Sequence, residues 1–181
     1  TCKPNYGLNI LTASCGMSYC FNYCENRNTN YEIPPTETRW LLIPCGGVKE
    51  SIYPNGSKYG IGSFSVEYSR PSKTLLRYGA AFDCMYDGST FVHFREDSIP
   101  YRSKLKALKI GIAGVGEMSL DRFSLFVNLG VYLYNHDKQI DFLYQRIGLR
   151  YRISRSLYTQ ISLKTHLNIS DYIEYGILIR I

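Results

Sequence analysis

The sequence predicts an all-β protein: an eight-stranded antiparallel up-and-down transmembrane β-barrel with an irregular Cys-rich N-terminal extension. From about residue 39 onward, apolar and polar residues alternate over eight segments, as they do in strands with one lipid-facing side and one polar side. The segments often reach about 11 residues or more, whereas strands of soluble proteins usually have about five or six. No segment has the apolar spacing of a convincing helix.

Turn signals separate the predicted strands. The clearest are "YPNGSK" (53–58), "SRPSK" (69–73), "NHDK" (135–138) and "SRS" (154–156). Their Pro, Gly, Asn and Ser residues favour turns. The longest break, 87–103, predicts a large loop. The predicted strands are approximately 39–48, 59–70, 74–86, 104–117, 121–135, 140–153, 156–168 and 171–181.

The two faces of the later segments differ in charge. In 121–135 the residues at odd positions, from Phe123 to Leu133, are apolar. The apolar faces of the other segments also carry almost no charged residues. Tyrosines cluster towards strand ends, as in the aromatic girdles of lipid-facing barrels; they are Tyr132, Tyr134, Tyr144, Tyr151, Tyr172 and Tyr175. We expect a packed ionic interior, in which Arg146, Arg150, Arg152, Lys164 and Arg180 face Asp83, Glu67 and Glu174.

The net charge of +6 and the pI near 9.0 fit three explanations: nucleic acid, anionic lipid, or arginines buried among carboxylates. The expected ionic interior argues against a nucleic-acid partner. No run approaches the roughly 20 apolar residues of a transmembrane helix, which excludes a helical membrane protein. A soluble β-sandwich that acts as a binding module also alternates, apolar inside and polar outside, and remains an alternative.

Residues 1–37 form the expected extension, and residues 38–181 form the expected barrel. The extension is rich in Asn, Cys and Tyr and has no regular period. The six cysteines are Cys2, Cys15, Cys20, Cys24, Cys45 and Cys84. The spacing of those in the extension loosely matches a zinc site, but no histidine lies near them. Disulfides in an oxidising compartment such as the periplasm are favoured, and zinc stays an open alternative.

A family resemblance lies in five stretches of the chain. They are "RYGAAFDCMYDGS" (77–89), "GVYLYN" (130–135), "YQRIGLRYRI" (144–153), "SLKTH" (162–166) and "DYIEYGI" (171–177). Over about 75–181 the sequence resembles the acyloxyacyl hydrolase or lipid A 3-O-deacylase-like barrels of the Bacteroidetes type. The resemblance implies a barrel in the bacterial outer membrane, with lipopolysaccharide as its lipid partner. It also implies removal of an ester-linked acyl chain of lipid A by a Ser-His-acid arrangement, without metal or other cofactor.

The resemblance assigns the family's histidine to His166 and the family's acid to Glu174. The family places its nucleophilic serine two residues after the histidine, where this sequence has Asn168. Asparagine cannot attack an acyl group. Ser170 is the remaining candidate nucleophile, although a serine there also suits the turn. The predicted catalytic residues are therefore His166, Glu174 and Ser170.

A hairpin centred on Ser170 would pair position 166 with position 174. The Cβ atoms of His166 and Glu174 would then lie about 4.5–5.5 Å apart, which suits a base held by an acid and equally a structural ion pair. Both share the face of Lys164 and should point into the interior, unless a bulge near the rim turns them outward. The alternative to an enzyme is a catalytically silent barrel that serves as a structural or accessory subunit of a larger outer-membrane protein complex.

Overall fold

The protein forms a closed barrel of eight antiparallel strands, in which each strand pairs with its neighbours in the sequence and the last pairs with the first. The computed structural model describes residues 37–50, 58–72, 75–91, 104–137, 142–166 and 169–181. The strands are β1 (Arg39–Glu50), β2 (Lys58–Pro71), β3 (Leu76–Asp87), β4 (Leu108–Leu120), β5 (Phe123–Tyr134), β6 (Leu143–Arg152), β7 (Leu157–His166) and β8 (Ile169–Arg180). The predicted barrel is confirmed.

The expected N-terminal extension and its four cysteines lie outside the described residues, apart from residue 37. Within the described residues, Cys45 and Cys84 carry free thiols. No helix in this part of the chain is long and apolar enough to cross a membrane.

The fourth strand differs from its prediction at both ends. Residues Lys104–Ala107 form a short 3₁₀ helix, and the strand begins only at Leu108. At its other end the strand continues to Leu120, which pairs with Phe123 across a two-residue turn. Asp121 makes this turn possible because it adopts φ 56°, a left-handed conformation that Asp tolerates better than most residues.

The outer surface of the barrel is apolar, and the inner surface is mostly polar. In β5 the side chains of Ser124, Phe126 and Asn128 are buried, while those of Leu125 and Leu129 are exposed. The same alternation leaves large apolar side chains exposed on every strand, among them Phe64, Phe82, Ile112, Val127, Ile147, Leu149, Ile161, Ile173 and Ile177. A continuous apolar exterior of this kind is the surface that a membrane barrel presents to lipid.

An arginine at Leu129 tests the lipid-facing surface. Leu129 lies in the middle of β5 and is 61% exposed. Because a cation at the middle of a bilayer is poorly solvated, Leu129→Arg should lower the free energy of unfolding from vesicles by about 2–4 kcal/mol. Urea titration in phosphatidylcholine vesicles measures this loss. The control is Leu120→Arg, at a strand end and 50% exposed, where about 0–1 kcal/mol is expected; equal losses at both positions would contradict a lipid-embedded band.

The connections between strands differ in length at the two ends of the barrel. One end carries the short connections 72–75, 121–122 and 153–156 and is called the short-turn end. The other carries the connections 51–57, 88–107, 135–142 and 167–168, three of them longer, and is called the long-loop end. The interior polar side chains form layers between these ends.

The middle of the interior is filled by buried ion pairs. Arg146 lies 3.1 Å from Asp83 and 2.7 Å from Glu174. Towards the short-turn end, Arg150 donates two hydrogen bonds to Glu67, at 3.0 and 2.7 Å. Because β6 and β2 stand four strands apart in a ring of eight, the Arg150–Glu67 pair spans the barrel from one wall to the opposite one. The predicted ionic interior is confirmed for these groups.

Two expected interior cations lie elsewhere. Arg152 and Arg180 are partly exposed at the short-turn end, 3.6 Å from Asp121 and 2.9 Å from Glu37 respectively. Both stand at the last residue of a strand, so their long side chains reach the solvent and the acids there. Placing them in the interior was wrong. Lys164 is buried as predicted, but its ammonium donates to the hydroxyl of Tyr172 at 3.1 Å instead of facing a carboxylate.

Candidate functional site

The histidine at the end of β7 contacts a hydroxyl on one side and an acid on the other. His166 faces the interior at the long-loop end and is 8% exposed. Its Nε2 lies 2.8 Å from the hydroxyl oxygen of Tyr132, in a hydrogen bond. Its Nδ1 lies 3.3 Å from Oδ2 of Asp171. The three side chains form a chain of acid, imidazole and hydroxyl.

The predicted pairing of His166 with Glu174 is wrong. Glu174 pairs with Ser162, and His166 pairs with Ile169. The reason is that β8 already begins at Ile169, three residues after β7 ends at His166, so the two strands pair in a different register from one centred on Ser170. Glu174 instead lies deeper in the barrel, where it contacts Arg146 and accepts a hydrogen bond from Ser162 at 3.1 Å. The strand pairing does not test the predicted catalytic role of Glu174, which stays a prediction.

An irregularity in β8 brings Asp171 to the histidine. Lys164 pairs with Tyr172 and Thr165 pairs with Ser170, so Asp171 is an extra residue opposite the register shift. A bulge interrupts the alternation of side chains: the side chain of Asp171 is only 6% exposed, and the neighbouring Tyr172 is buried as well. The bulge therefore turns an acid inward and leaves His166 inside.

Sequence reasoning missed Asp171 because strict alternation puts it on the apolar outer face. A carboxylate on a lipid-facing surface is costly, so its presence there was the available signal of an irregular strand. Tyr132 was missed because it was counted among the girdle tyrosines. Its place in the alternation, on the same face as Ser124 and Asn128, was the signal that it points inward.

The predicted nucleophile is not brought to the histidine. Ser170 is exposed, and its side chain makes no hydrogen bond with any described residue. Asn168, at the family's serine position, lies outside the described residues, as does His93. His136 is exposed in the connection after β5. Within the described part of the chain, the hydroxyl that contacts His166 belongs to Tyr132.

A chain of alternating charges holds Asp171 in place. Lys49 lies 2.5 Å from Asp171 and 3.4 Å from Asp87. Lys109 lies 3.2 Å from Asp87 and 3.8 Å from Asp137. The carboxylate beside His166 is thus held on its far side by the partly buried ammonium of Lys49, which leaves its Oδ2 directed at the imidazole. In the described residues, no group of three or more histidine, cysteine or acidic side chains is arranged to hold a metal ion.

An aromatic layer supports Tyr132 from below. Its ring packs on that of Tyr144, with centroids 4.7 Å apart, and the ammonium of Lys164 lies 5.3 Å from its centroid. Tyr144 is held in turn by a hydrogen bond from its hydroxyl to Asp83. It lies directly over Gly130, where a Cβ atom would come within 2.2 Å of the Tyr144 ring. Only glycine at position 130 leaves room for this layer.

The comparison with protein families is decisive for residues 38–181, which match the model of the acyloxyacyl hydrolase C-terminal domain. The chain belongs to the acyloxyacyl hydrolase family. The match covers all eight strands, so the relationship extends beyond the stretch where the sequence resemblance is recognisable. No curated protein matches the chain. A solved structure described as "De novo design of transmembrane beta-barrels" has 12% sequence identity and a TM-score of 0.48, covering 79% of this chain and 95% of that chain.

In this acyloxyacyl hydrolase barrel, the contacts of His166 suit proton transfer. An imidazole that contacts a hydroxyl through one nitrogen and an acid through the other can remove the hydroxyl proton, and the acid stabilises the charge that results. The Nδ1–Oδ2 distance is 3.3 Å, and Oδ2 of Asp171 has no hydrogen-bond partner in the described residues. A small rotation of either side chain would align the two groups, as occurs in many sites when substrate binds.

Proposed function

We propose that the chain is a hydrolase of the bacterial outer membrane that removes an ester-linked acyl chain from the lipid A of lipopolysaccharide. His166 acts as the base. The observation that supports this best is the position of His166 between the hydroxyl of Tyr132 and the carboxylate of Asp171. An acid, a base and a hydroxyl in contact are the groups that ester hydrolysis requires.

The height of the site in the barrel supports the substrate. Bacterial outer-membrane barrels have short turns on the periplasmic side and longer loops outside, so the end that carries His166 is assigned to the cell surface. The ester bonds of lipid A lie where its sugars meet its acyl chains, which is the level of the outer rim. The β7–β8 connection has only two residues, 167 and 168, so the shortest connection of that end directly follows His166.

The proposed chemistry is general base catalysis. Nε2 of His166 takes the proton of the attacking hydroxyl while the hydroxyl oxygen adds to the acyl carbonyl carbon. The bond from that carbon to the sugar oxygen then breaks, and the proton passes from His166 to the departing oxygen. Asp171 holds the imidazole and balances its positive charge. The contacts favour Asp171 over Glu174 in this role, while catalysis by Glu174 and Ser170 stays a prediction from the resemblance.

The test is the mass of lipid A after incubation with the folded protein. The full chain is folded into vesicles that contain lipopolysaccharide, and folding is verified by the heat-dependent shift in gel mobility that barrels show. We expect lipid A to lose the mass of one acyl chain while one equivalent of free fatty acid appears. Unchanged lipid A in the presence of fully folded barrel would reject the proposal.

A silent barrel in a larger outer-membrane complex is the second candidate. It is supported by Asn168 at the family's serine position and by Ser170, which is exposed and makes no hydrogen bond with His166. A barrel that has lost catalysis and kept its fold would have these features. Extraction from native membranes in mild detergent separates the candidates: a stable complex of fixed stoichiometry supports a subunit role, and a lone monomer rejects it.

A further inference from the structure

We propose that Tyr132 supplies the attacking oxygen, in the place that the family pattern gives to a serine at position 168. This inference rests on the proposed ester hydrolysis and names a group that takes part in it. The sequence pattern offers no nucleophile there, whereas the structure brings a phenolic hydroxyl to within 2.8 Å of Nε2 of His166.

Three neighbouring tyrosines at this level of the barrel have different partners. The hydroxyl of Tyr144 donates to Asp83, and the hydroxyl of Tyr172 accepts from Lys164. Both residues are buried. Tyr132 is only half-buried, and its hydroxyl contacts the imidazole. Of the three, Tyr132 alone contacts a base and is partly exposed.

The charges around Tyr132 determine at which point of the reaction its hydroxyl proton leaves. The amine of Lys164 lies 5.3 Å from the ring centroid, and its protonated form stabilises negative charge that develops on the phenol oxygen. The carboxylate of Asp171 disfavours a free phenolate, because both groups carry negative charge. The proton therefore passes to His166 while the new bond forms, as in general base catalysis by other hydroxyl nucleophiles.

The reaction balances with water as the second reactant. In the first step, the Tyr132 oxygen bonds to the acyl carbonyl carbon, the bond to the sugar oxygen breaks, and the phenolic proton reaches the sugar oxygen through His166. The acyl group is then an aryl ester on Tyr132. In the second step, water gives a proton to His166 and adds to the same carbon. Tyr132 leaves, regains a proton from His166, and free fatty acid is released.

Two measurements on the full chain in vesicles test this inference. Tyr132→Phe keeps the ring that packs on Tyr144 and removes the hydroxyl, so the barrel should fold while deacylation of lipopolysaccharide falls by about 100-fold or more. The matched control is Tyr134→Phe. It lies in the same strand, exposed, with its ring 5.4 Å from that of His136, and it should leave the rate unchanged. A rate that survives Tyr132→Phe overturns the inference and leaves the proposed hydrolysis intact, with water as the attacking group.

The second measurement does not depend on lipid A. The chain is mixed with p-nitrophenyl dodecanoate, quenched in acid at early times, and digested for peptide mass spectrometry. We expect a dodecanoyl group on Tyr132 in the unaltered chain, and none at this position in His166→Gln. If lipopolysaccharide is not cleaved, the proposed function fails, and acylated Tyr132 still supports its role as nucleophile. An unlabelled Tyr132 overturns that role.

Discussion

Replacing His166 with glutamine is expected to slow the release of fatty acid from lipopolysaccharide by about 10²–10⁴-fold, the range that a general base contributes. Glutamine is close to histidine in size and retains polar contacts with Tyr132 and Asp171, but it cannot take up the proton. The measurement is the initial rate of fatty acid release from vesicles that contain folded protein, by mass spectrometry. The loss should be in kcat, because the imidazole acts on the reacting atoms.

The matched control for this prediction is His136→Gln. His136 is exposed in the connection after β5 and does not contact His166, so the rate should be unchanged. Asp171→Asn should slow the reaction as well, since it removes the charge beside Nδ1. An unaltered rate in His166→Gln, or an equal loss in His136→Gln, would contradict the assignment of His166 as the base.

Arg150→Ala is expected to lower the free energy of unfolding by about 3–5 kcal/mol, the usual cost of removing one partner from a buried ion pair. Arg150 is fully buried and contacts two carboxylates, Glu67 at 2.7 Å and Glu117 at 2.6 Å. Without the guanidinium, the carboxylates of Glu67 and Glu117 remain in the interior with fewer partners. Its contact with the ring of Phe126, 4.1 Å away, is lost as well.

Urea-induced unfolding from vesicles measures this effect. Arg155→Ala is the control, because Arg155 is exposed in the short connection between β6 and β7, where a substitution should cost about 0.5 kcal/mol or less. A double variant, Arg150→Met with Glu67→Gln, should recover part of the loss, since it removes one unpaired acid and leaves Glu117 paired with Arg39. A small loss in Arg150→Ala alone would show that the interior tolerates unpaired acids.

The barrel could be predicted from the sequence because period-two alternation is a local signal, repeated in every strand. The interior positions of Arg146 and Arg150 follow from that alternation alone. Arg152 and Arg180 obey the same alternation, but they stand at strand ends, where a long side chain can leave the interior. Alternation cannot detect this difference, because it depends on where each strand ends relative to the barrel rim.

The arrangement around His166 could be predicted only in part. Its inward direction follows from alternation in β7, as expected. Its acid could not be found in this way, because the bulge that turns Asp171 inward depends on how β7 and β8 pair. The contact with Tyr132 joins β5 to β7, two strands that are not neighbours in the sheet. Such contacts depend on how the strands come together in the closed barrel, and this cannot be read from any single segment of the sequence.

The ion pairs across the lumen have an electrical consequence. Arg150 on β6 and Glu67 on β2 join opposite walls, and Arg146 with Asp83 and Glu174 forms a second crossing nearer the long-loop end. A hydrated ion moving along the axis would have to separate both sets of pairs. We therefore expect the barrel to add no measurable conductance when it is inserted into a planar bilayer.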